Sequence, residues 1–127
     1  MELRLVLTVD DFDEALAFYR DALGLPELAA WESTGEARIR LLDAGHATLE
    51  LVNEAQAAMI DEIEVGRRVA GPVRVAFEVD DSEAVGVRLV SAGAERLAEP
   101  VTTPWKHRNV RVRAPDGTQL TLFTVVD

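Results

Sequence analysis

The chain has 127 residues, enough for one domain with its own hydrophobic core. Its formal net charge of −10 comes from 13 basic and 23 acidic residues, and the one basic cluster, WKHRNVRVR at residues 105–113, is typical of a solvated strand edge. Because nucleic-acid binders normally present a basic face, we expect no nucleic-acid partner. No apolar run approaches the ~20 residues that a membrane helix needs, so we expect no membrane partner either.

The chain contains no cysteine, which excludes disulfides, thiolate nucleophiles and cysteine-ligated zinc. Its first residues, MELRLVLTVDDFDEAL, carry charge from the second position onward and do not match a secretory signal. Both features fit a reducing compartment, and we expect a cytoplasmic protein.

The first predicted elements are a strand, a helix and three further strands. Residues 3–9 carry leucine or valine at every odd position, which predicts a strand with one apolar face. Two aspartates that can cap a helix follow, and apolar residues recur at helical spacing over residues 15–23 until Gly24 and Pro26 end the pattern. Strand-like segments then occupy residues 27–33, 37–42 and 46–52.

A second unit repeats this plan after a polar, alanine-rich linker at residues 53–72, in which one helix is predicted near residues 54–64. The unit has a strand at residues 73–79, a helix at 81–92 and further strands near 94–99, 109–113 and 118–126. The sequence therefore predicts a single α+β domain, residues 1–127, built from two tandem βαβββ modules at about residues 1–52 and 73–127.

The leucine and valine faces of the strands are the natural partners of the two helices. The alternate residues are then left to line a curved open barrel or trough, where a small-molecule ligand would sit. The residues predicted to face this trough are Arg4, Val6, Thr8, His46, Thr48, Glu50, Val52, Arg74, Ala76, Glu78, Gln119, Thr121 and Phe123.

Four segments of the chain resemble the vicinal oxygen chelate superfamily, which contains glyoxalase I, extradiol dioxygenases and bleomycin-resistance proteins. They are LTVDDFDEALAFYRDALGL at residues 7–25, ATLELV at 47–52, RVAFEVDD at 74–81 and APDGTQLTLF at 114–123. The resemblance covers nearly the whole chain. It implies the glyoxalase/bleomycin-resistance fold and a homodimer.

The resemblance also implies where a metal would bind, because metal-dependent members of the family place ligands on the first and last strands of each repeat. The matching positions here are Arg4, Glu50, Arg74 and Thr121, and only Glu50 is a usual ligand. Arginine offers donors and no lone pair, and threonine is a poor replacement for a carboxylate. We therefore expect no metal and no other cofactor, with a divalent metal as the disfavoured alternative.

Two arginines near Glu50 suggest an ion-pair cluster in the trough wall, or one arginine left over for an anionic or carbonyl-rich ligand. Since losing one partner of a buried pair costs about 3–5 kcal/mol, Glu50→Gln is expected to destabilise the fold or shift ligand preference. Large aromatic residues nearby suit planar ligands. The predicted ligand-binding residues are Arg4, Trp31, Glu50, Arg74, Trp105, His107, Thr121 and Phe123.

The first functional hypothesis is a metal-independent protein of the bleomycin-resistance type, which sequesters a small aromatic or carbonyl-bearing ligand. A metal-dependent lyase, isomerase or dioxygenase is an alternative that Glu50 alone supports. A metal-free acid–base enzyme could use Glu50, Glu78 or His107, although the arginines would lower the pKa of a glutamate beside them. A protein that shares only the fold of the family and has a partner-binding or unknown role is the fourth possibility. No catalytic residue is assigned.

Overall fold

The computed structural model describes residues 1–127 and contains one continuous sheet of nine strands. The strands are β1 (Leu3–Thr8), β2 (Glu27–Glu32), β3 (Arg38–Asp43), β4 (Ala47–Val52), β5 (Val73–Glu78), β6 (Glu95–Arg96), β7 (Val101–Thr102), β8 (His107–Arg113) and β9 (Gln119–Val125). The helices are α1 (Phe12–Leu16), which continues as a π turn over Ala17–Ala22, α2 (Glu54–Glu64) and α3 (Ser82–Ser91), with a 3₁₀ turn at Thr34–Glu36.

The strand order is β2-β3-β4-β1-β5-β9-β8-β6, with β7 also paired to β8, so the sheet is open at both ends. The first and last strands of each repeat are parallel neighbours, and β1 joins the repeats by pairing antiparallel to β5. In this register Val6 lies opposite both Glu50 and Arg74. The predicted α+β fold of two βαβββ modules is confirmed, and the first and last strands meet in the middle of the sheet.

Each helix is capped by a short polar side chain, and for α1 this is one of the two aspartates that the sequence predicted as a cap. The side chain of Asp11 accepts a hydrogen bond from the backbone N–H of Glu14, and Asp81 does the same for Ala84. Such caps stabilise a helix by about 1 kcal/mol because they satisfy an otherwise unpaired N–H group. None of the helices is long and apolar enough to span a lipid bilayer.

The outer face of the sheet is covered by α1 and α3. Phe12 and Leu16 of α1 pack with leucines of β3 and β4, and partly buried residues of β1 join the same cluster. On the second repeat, α3 approaches so closely that a Cβ atom at Gly86 would lie 2.9 Å from Cγ1 of Val110. The prediction that the leucine and valine faces pack against the helices is confirmed.

The helical stripe predicted over residues 15–23 is interrupted by the π turn. The N–H of Leu23 donates to the carbonyl of Phe18, five residues earlier, at 2.9 Å. This turn is wider than an α-helical turn, so it breaks the regular spacing of the helical stripe. Within the apolar stripe predicted over residues 15–23, Phe18 and Leu23 are each 61% exposed, whereas Tyr19 packs against the cluster that α1 forms with the sheet.

The second repeat departs from prediction on the strand expected at residues 94–99. Only Glu95–Arg96 of this segment forms a strand, β6, and a further short strand, β7, follows at Val101–Thr102; both pair with β8. Pro100 lies between them and has no N–H group to offer a ladder.

The basic cluster at residues 105–113 is not a solvated strand edge. Strand β8 lies inside the sheet, between β9 on one side and β6 and β7 on the other. Four consecutive residues of this strand are buried, among them Arg111, which is only 1% exposed, whereas Arg108 and Arg113 pair with glutamates at the surface. The expectation of a solvated edge was wrong because the strand has hydrogen-bonded neighbours on both sides.

Helix α2, the predicted linker helix, lies against the inner face of the sheet. Ala57 and Ile60 pack against Val6, Ile39 and Val52, which face away from α1 and α3. The segment between the repeats therefore forms a wall of the trough.

Candidate functional site

A cavity of 590 Å³ lies between the inner face of the sheet and α2. It is lined by 17 residues, drawn from both repeats of the same chain and from α2. This volume is within the range of about 300–1,000 Å³ that is usual for small-molecule sites. The cavity brings together all eight residues predicted to bind a ligand, which are Arg4, Trp31, Glu50, Arg74, Trp105, His107, Thr121 and Phe123.

Strand alternation predicted which residues lie on the inner face of the sheet, but only some of those residues line the cavity. Val52 is on that face but is covered by α2, and His46 lies exposed in the turn before β4. Alternation along a strand tells which face a residue occupies and gives no information on what covers that face. The predicted trough residues that do not line the cavity are Thr8, His46, Thr48, Val52, Glu78 and Gln119.

Arg4 and Glu50 form the predicted ion pair, but the distance between their charged groups is long. The Nη1 atom of Arg4 lies 3.7 Å from the Oε1 atom of Glu50, which is beyond ordinary hydrogen-bond distance. Arg4 also pairs with Glu2 and holds its guanidinium carbon 5.0 Å from the centre of the Phe123 ring. Glu50 therefore shares its closest cation with two other groups.

Burial raises the pKa of Glu50 above its ordinary value. The charges of Arg74 and Arg4 lower this pKa without cancelling the effect of burial, and the nearby carboxylate of Glu64 raises it further. The expectation that neighbouring arginines would keep this pKa low was wrong, because the effect of burial is larger than the attraction of both arginines.

Arg74 is a buried cation without a carboxylate at ion-pair distance. Its Nη1 atom donates to the Oγ1 atom of Thr121 at 2.6 Å, and the same guanidinium lines the cavity. Burial and the charge of Arg111 lower the pKa of Arg74, but an arginine stays protonated at neutral pH. Since a guanidinium carries five N–H donors, most of the hydrogen-bonding capacity of Arg74 is free for a ligand.

The buried cluster of Arg111, Asp61 and Glu64 was not predicted. Arg111 donates to the Oδ1 atom of Asp61 and to the Oε1 atom of Glu64, both at 2.8 Å. These contacts join β8 to the C-terminal half of α2. The spacing of Asp61 and Glu64 on one helix face, together with the alternation of NVRVR in β8, is the sequence signal that could have indicated the cluster.

Asp61 is held ionised by its surroundings. Burial alone would raise the pKa of Asp61, but the N–H groups of Ala70 and Val69 and the guanidinium of Arg111 outweigh burial and lower it. Those N–H groups donate to the Oδ2 atom of Asp61 at 2.8 and 2.7 Å. Asp61 therefore fixes both α2 and the chain that follows it.

One wall of the cavity is aromatic. The ring of His107 stacks on the ring of Phe123 with their centres 4.8 Å apart and an interplanar angle of 17°. Burial, followed by the charge of Arg4, lowers the pKa of His107, so the imidazole is neutral at pH 7. Trp31 and Trp105 line the same cavity and remain 51% and 38% exposed, so a planar ligand would meet aromatic surface here.

The four positions at which the family resemblance implies metal ligands do lie around the cavity. They are occupied by Arg4, Glu50, Arg74 and Thr121, which supply one carboxylate and two cations. Nowhere in the chain are three or more His, Cys, Asp or Glu side chains placed to share an ion. The residues present at this site therefore do not fit a divalent metal.

The family model described as Glyoxalase/Bleomycin resistance protein/Dioxygenase superfamily matches residues 3–122. The chain therefore belongs to this superfamily, as its sequence segments indicated. No curated protein matches the sequence.

Solved structures similar to this chain share its fold at low sequence identity. A hypothetical protein from Bacillus halodurans C-125 has a TM-score of 0.71 and 17% identity, with 98% of this chain and 93% of that chain covered. Methylmalonyl-CoA epimerase from Mycobacterium tuberculosis has a TM-score of 0.68 and 20% identity, with 98% and 87% covered. A superfamily member from Vibrio splendidus 12B01 has a TM-score of 0.66 and 16% identity, with 97% of each chain covered.

Proposed function

We propose that this protein binds a small aromatic ligand that bears a carbonyl or anionic group, and that it does so without a metal. The observation that carries the proposal is Arg74, a buried cation that lines the cavity and has one side-chain hydrogen bond, to Thr121. A carboxylate or carbonyl oxygen against this guanidinium would accept charge-assisted hydrogen bonds.

The aromatic part of the ligand is suggested by the rest of the cavity wall, which is aromatic where the Arg74 side is cationic. The stacked rings of His107 and Phe123 form part of this wall, and Trp31 and Trp105 add further aromatic area. Planar ligands gain from both the burial of area and the stacking geometry on such a wall. Sequestration, the activity proposed here by analogy with bleomycin-resistance proteins, needs only a shaped cavity with a few polar anchors.

The proposal includes a homodimer in the cytoplasm. Strand β2 forms one end of the open sheet, and its residues are exposed except for one of intermediate burial. Edge strands of this kind are commonly covered by another element or another chain.

The proposal is tested by thermal unfolding of the full chain in the presence of a panel of aromatic compounds. The panel contains acids, their methyl esters and neutral carbonyl compounds of matched size. A ligand at about 100 times its Kd stabilises the folded state by about 2.7 kcal/mol, so aromatic acids are expected to raise Tm in a concentration-dependent way. The proposal fails if no member of the panel raises Tm at high excess.

A metal-free acid–base enzyme is the second candidate, and the raised pKa of Glu50 favours it. A glutamate with such a pKa, lining a cavity beside Arg4 and Arg74, can exchange a proton with a bound carbonyl compound. The two candidates are separated by incubating each binding compound in D₂O and following its α protons by NMR. Sequestration predicts no accelerated exchange, whereas the enzyme predicts exchange that Glu50→Gln abolishes without loss of binding.

A further inference from the structure

Two buried carboxamides in the wall of the cavity have carbonyl oxygens without a hydrogen-bond partner. Gln56, in the first turn of α2, and Asn109, in β8, both line the cavity. Neither Gln56 Oε1 nor Asn109 Oδ1 accepts a hydrogen bond from the protein. Buried acceptors are nearly always paired, so an unpaired one in a cavity wall calls for a partner from outside the chain.

In the other two carboxamides of the chain both the oxygen and the nitrogen are hydrogen-bonded, and neither residue lines the cavity. Asn53 caps α2, accepting from the backbone N–H of Gln56 and donating to the carbonyl of Glu36. Gln119 accepts from Arg111 and donates to the carbonyl of Val69. The two carboxamides with unpaired carbonyl oxygens are therefore the two that line the cavity.

One further buried atom lacks a partner, the Nε atom of Arg111. It belongs to a guanidinium whose two terminal nitrogens are already bonded to Asp61 and Glu64, and Arg111 does not line the cavity. The unpaired Nε atom of Arg111 therefore gives no information about the ligand.

The position of Asn109 connects its free acceptor to the aromatic wall. Asn109 lies directly opposite Phe123 in the pairing of β8 with β9, and the ring of Phe123 stacks on that of His107. A planar ligand in the cavity beside this aromatic wall would hold its substituents near the carboxamide of Asn109. Rotation of that terminal amide about its last side-chain bond brings the oxygen to face the ligand.

We propose that the ligand is an aromatic acid that also carries hydroxyl or amine donors, with its acid group on Arg74 and its donors on Gln56 and Asn109. This inference rests on the proposed function and narrows it. The cationic end of the cavity requires an acceptor on the ligand, and the two unpaired carbonyl oxygens require donors. An unsubstituted aromatic acid satisfies only the first requirement.

The test measures binding of a matched series of compounds to the full chain by isothermal titration calorimetry. Cinnamate has no hydroxyl group on its ring, p-coumarate has one and caffeate has two, whereas methyl caffeate has the hydroxyl groups without the charge. We expect affinity to increase from cinnamate to caffeate by about tenfold or more, because each hydroxyl satisfies a buried acceptor. Methyl caffeate is expected to bind more weakly than caffeate.

Two variants identify the residues that recognise the hydroxyl groups. Gln56→Met and Asn109→Leu replace the carboxamides with apolar side chains of similar size. Each is expected to reduce the ratio of caffeate to cinnamate affinity while leaving the affinity for cinnamate within about twofold. Because each change removes an unpaired buried acceptor, both variants should melt at or above the Tm of the wild type.

The possible outcomes separate this inference from the broader proposal. If cinnamate and caffeate bind the wild type equally well, the inference is wrong and the proposed function stands. If both variants keep the full preference for caffeate, the assignment of Gln56 and Asn109 is wrong. If no compound of the series binds while other members of the thermal-unfolding panel do, the ligand belongs to a different chemical class. If nothing in either set binds, the proposed function fails as well.

Discussion

At the scale of single residues, Glu50 poses the main question, since a carboxylate in an otherwise apolar strand needs a partner or a proton. The structure gives it only a distant partner, with 3.7 Å between the Nη1 atom of Arg4 and the Oε1 atom of Glu50. Arg74 acts on it through space and makes its own hydrogen bond to Thr121 instead. Burial therefore outweighs the attraction of the arginines and raises the pKa of the Glu50 carboxyl group.

Glu50→Gln is expected to be at least as stable as the wild type at pH 7, in contrast to the destabilisation that the sequence suggested. The pKa of Glu50 is raised in the folded state from 4.5, so its contribution to stability is fully present below pH 4.5 and is lost as pH rises through the folded-state pKa. Glutamine mimics the neutral form and avoids this loss.

The measurement is urea unfolding of both proteins between about pH 4 and pH 8. The two free energies of unfolding should agree at the acid end and separate in favour of the glutamine variant as pH rises. A variant that is clearly less stable than the wild type at pH 7 would show that attraction to the arginines outweighs burial.

At the scale of elements, α2 is the piece that turns a curved sheet into a walled cavity. The sequence predicted a helix near residues 54–64, and the structure has one at Glu54–Glu64. Its position could not be predicted, because it depends on Asp61 and Glu64 meeting Arg111, which lies far away in the chain. A helix can be predicted from the pattern of neighbouring residues. Its position against the sheet depends on contacts between residues far apart in the chain, which a single sequence does not reveal.

Asp61→Ala should lower the free energy of unfolding by about 3–5 kcal/mol at pH 7, because it leaves Arg111 buried with one partner fewer. Glu62→Ala is the matched control, since Glu62 is an exposed residue of the same helix and should change stability by less than about 0.5 kcal/mol. Urea unfolding measures both. Equal effects of the two substitutions would mean that the buried cluster does not hold α2 in place.

The effect of Asp61→Ala should also depend on pH. The pKa of Asp61 is lowered from 3.8 in the folded state, so its contribution is present above pH 3.8 and is lost as pH falls through the folded-state pKa. The difference between wild type and variant should narrow as the pH is lowered below 3.8. A difference that stays constant there would contradict an ionic role for Asp61.

At the scale of the whole molecule, the fold was predictable because its signals are local. Alternating leucines, capping aspartates and helix-ending glycines occur twice in the same order, and they indicate the two βαβββ modules. The inner face follows from strand parity alone, which places Arg4, Glu50 and Arg74 on one surface. The π turn after Leu16 and the break at Pro100 were not predicted. The first interrupts a regular helical spacing of apolar residues, and the second interrupts a strand.

The side chains around the cavity lead to a prediction about the metal content of the purified protein. The purified protein should contain far less than one divalent metal ion per chain by elemental analysis, and EDTA should leave its Tm unchanged. The physical reason is that Arg4 and Arg74 place positive charge where a cation would have to bind. A stoichiometric divalent metal in the native protein would contradict the metal-independent account.

The central claim is that Arg74 anchors an anionic ligand in this cavity. The direct test is isothermal titration calorimetry with the aromatic acid that raises Tm most, using wild type, Arg74→Gln and Arg113→Gln. Arg113 is the matched control, because it lies on β8, pairs with Glu95 at the surface and does not line the cavity.

Loss of a charge-assisted hydrogen bond costs about 1.5–3 kcal/mol, so Arg74→Gln should weaken binding by about tenfold or more. Arg113→Gln should stay within about twofold of the wild type. Equal affinity of the wild type and Arg74→Gln for that acid would contradict the account.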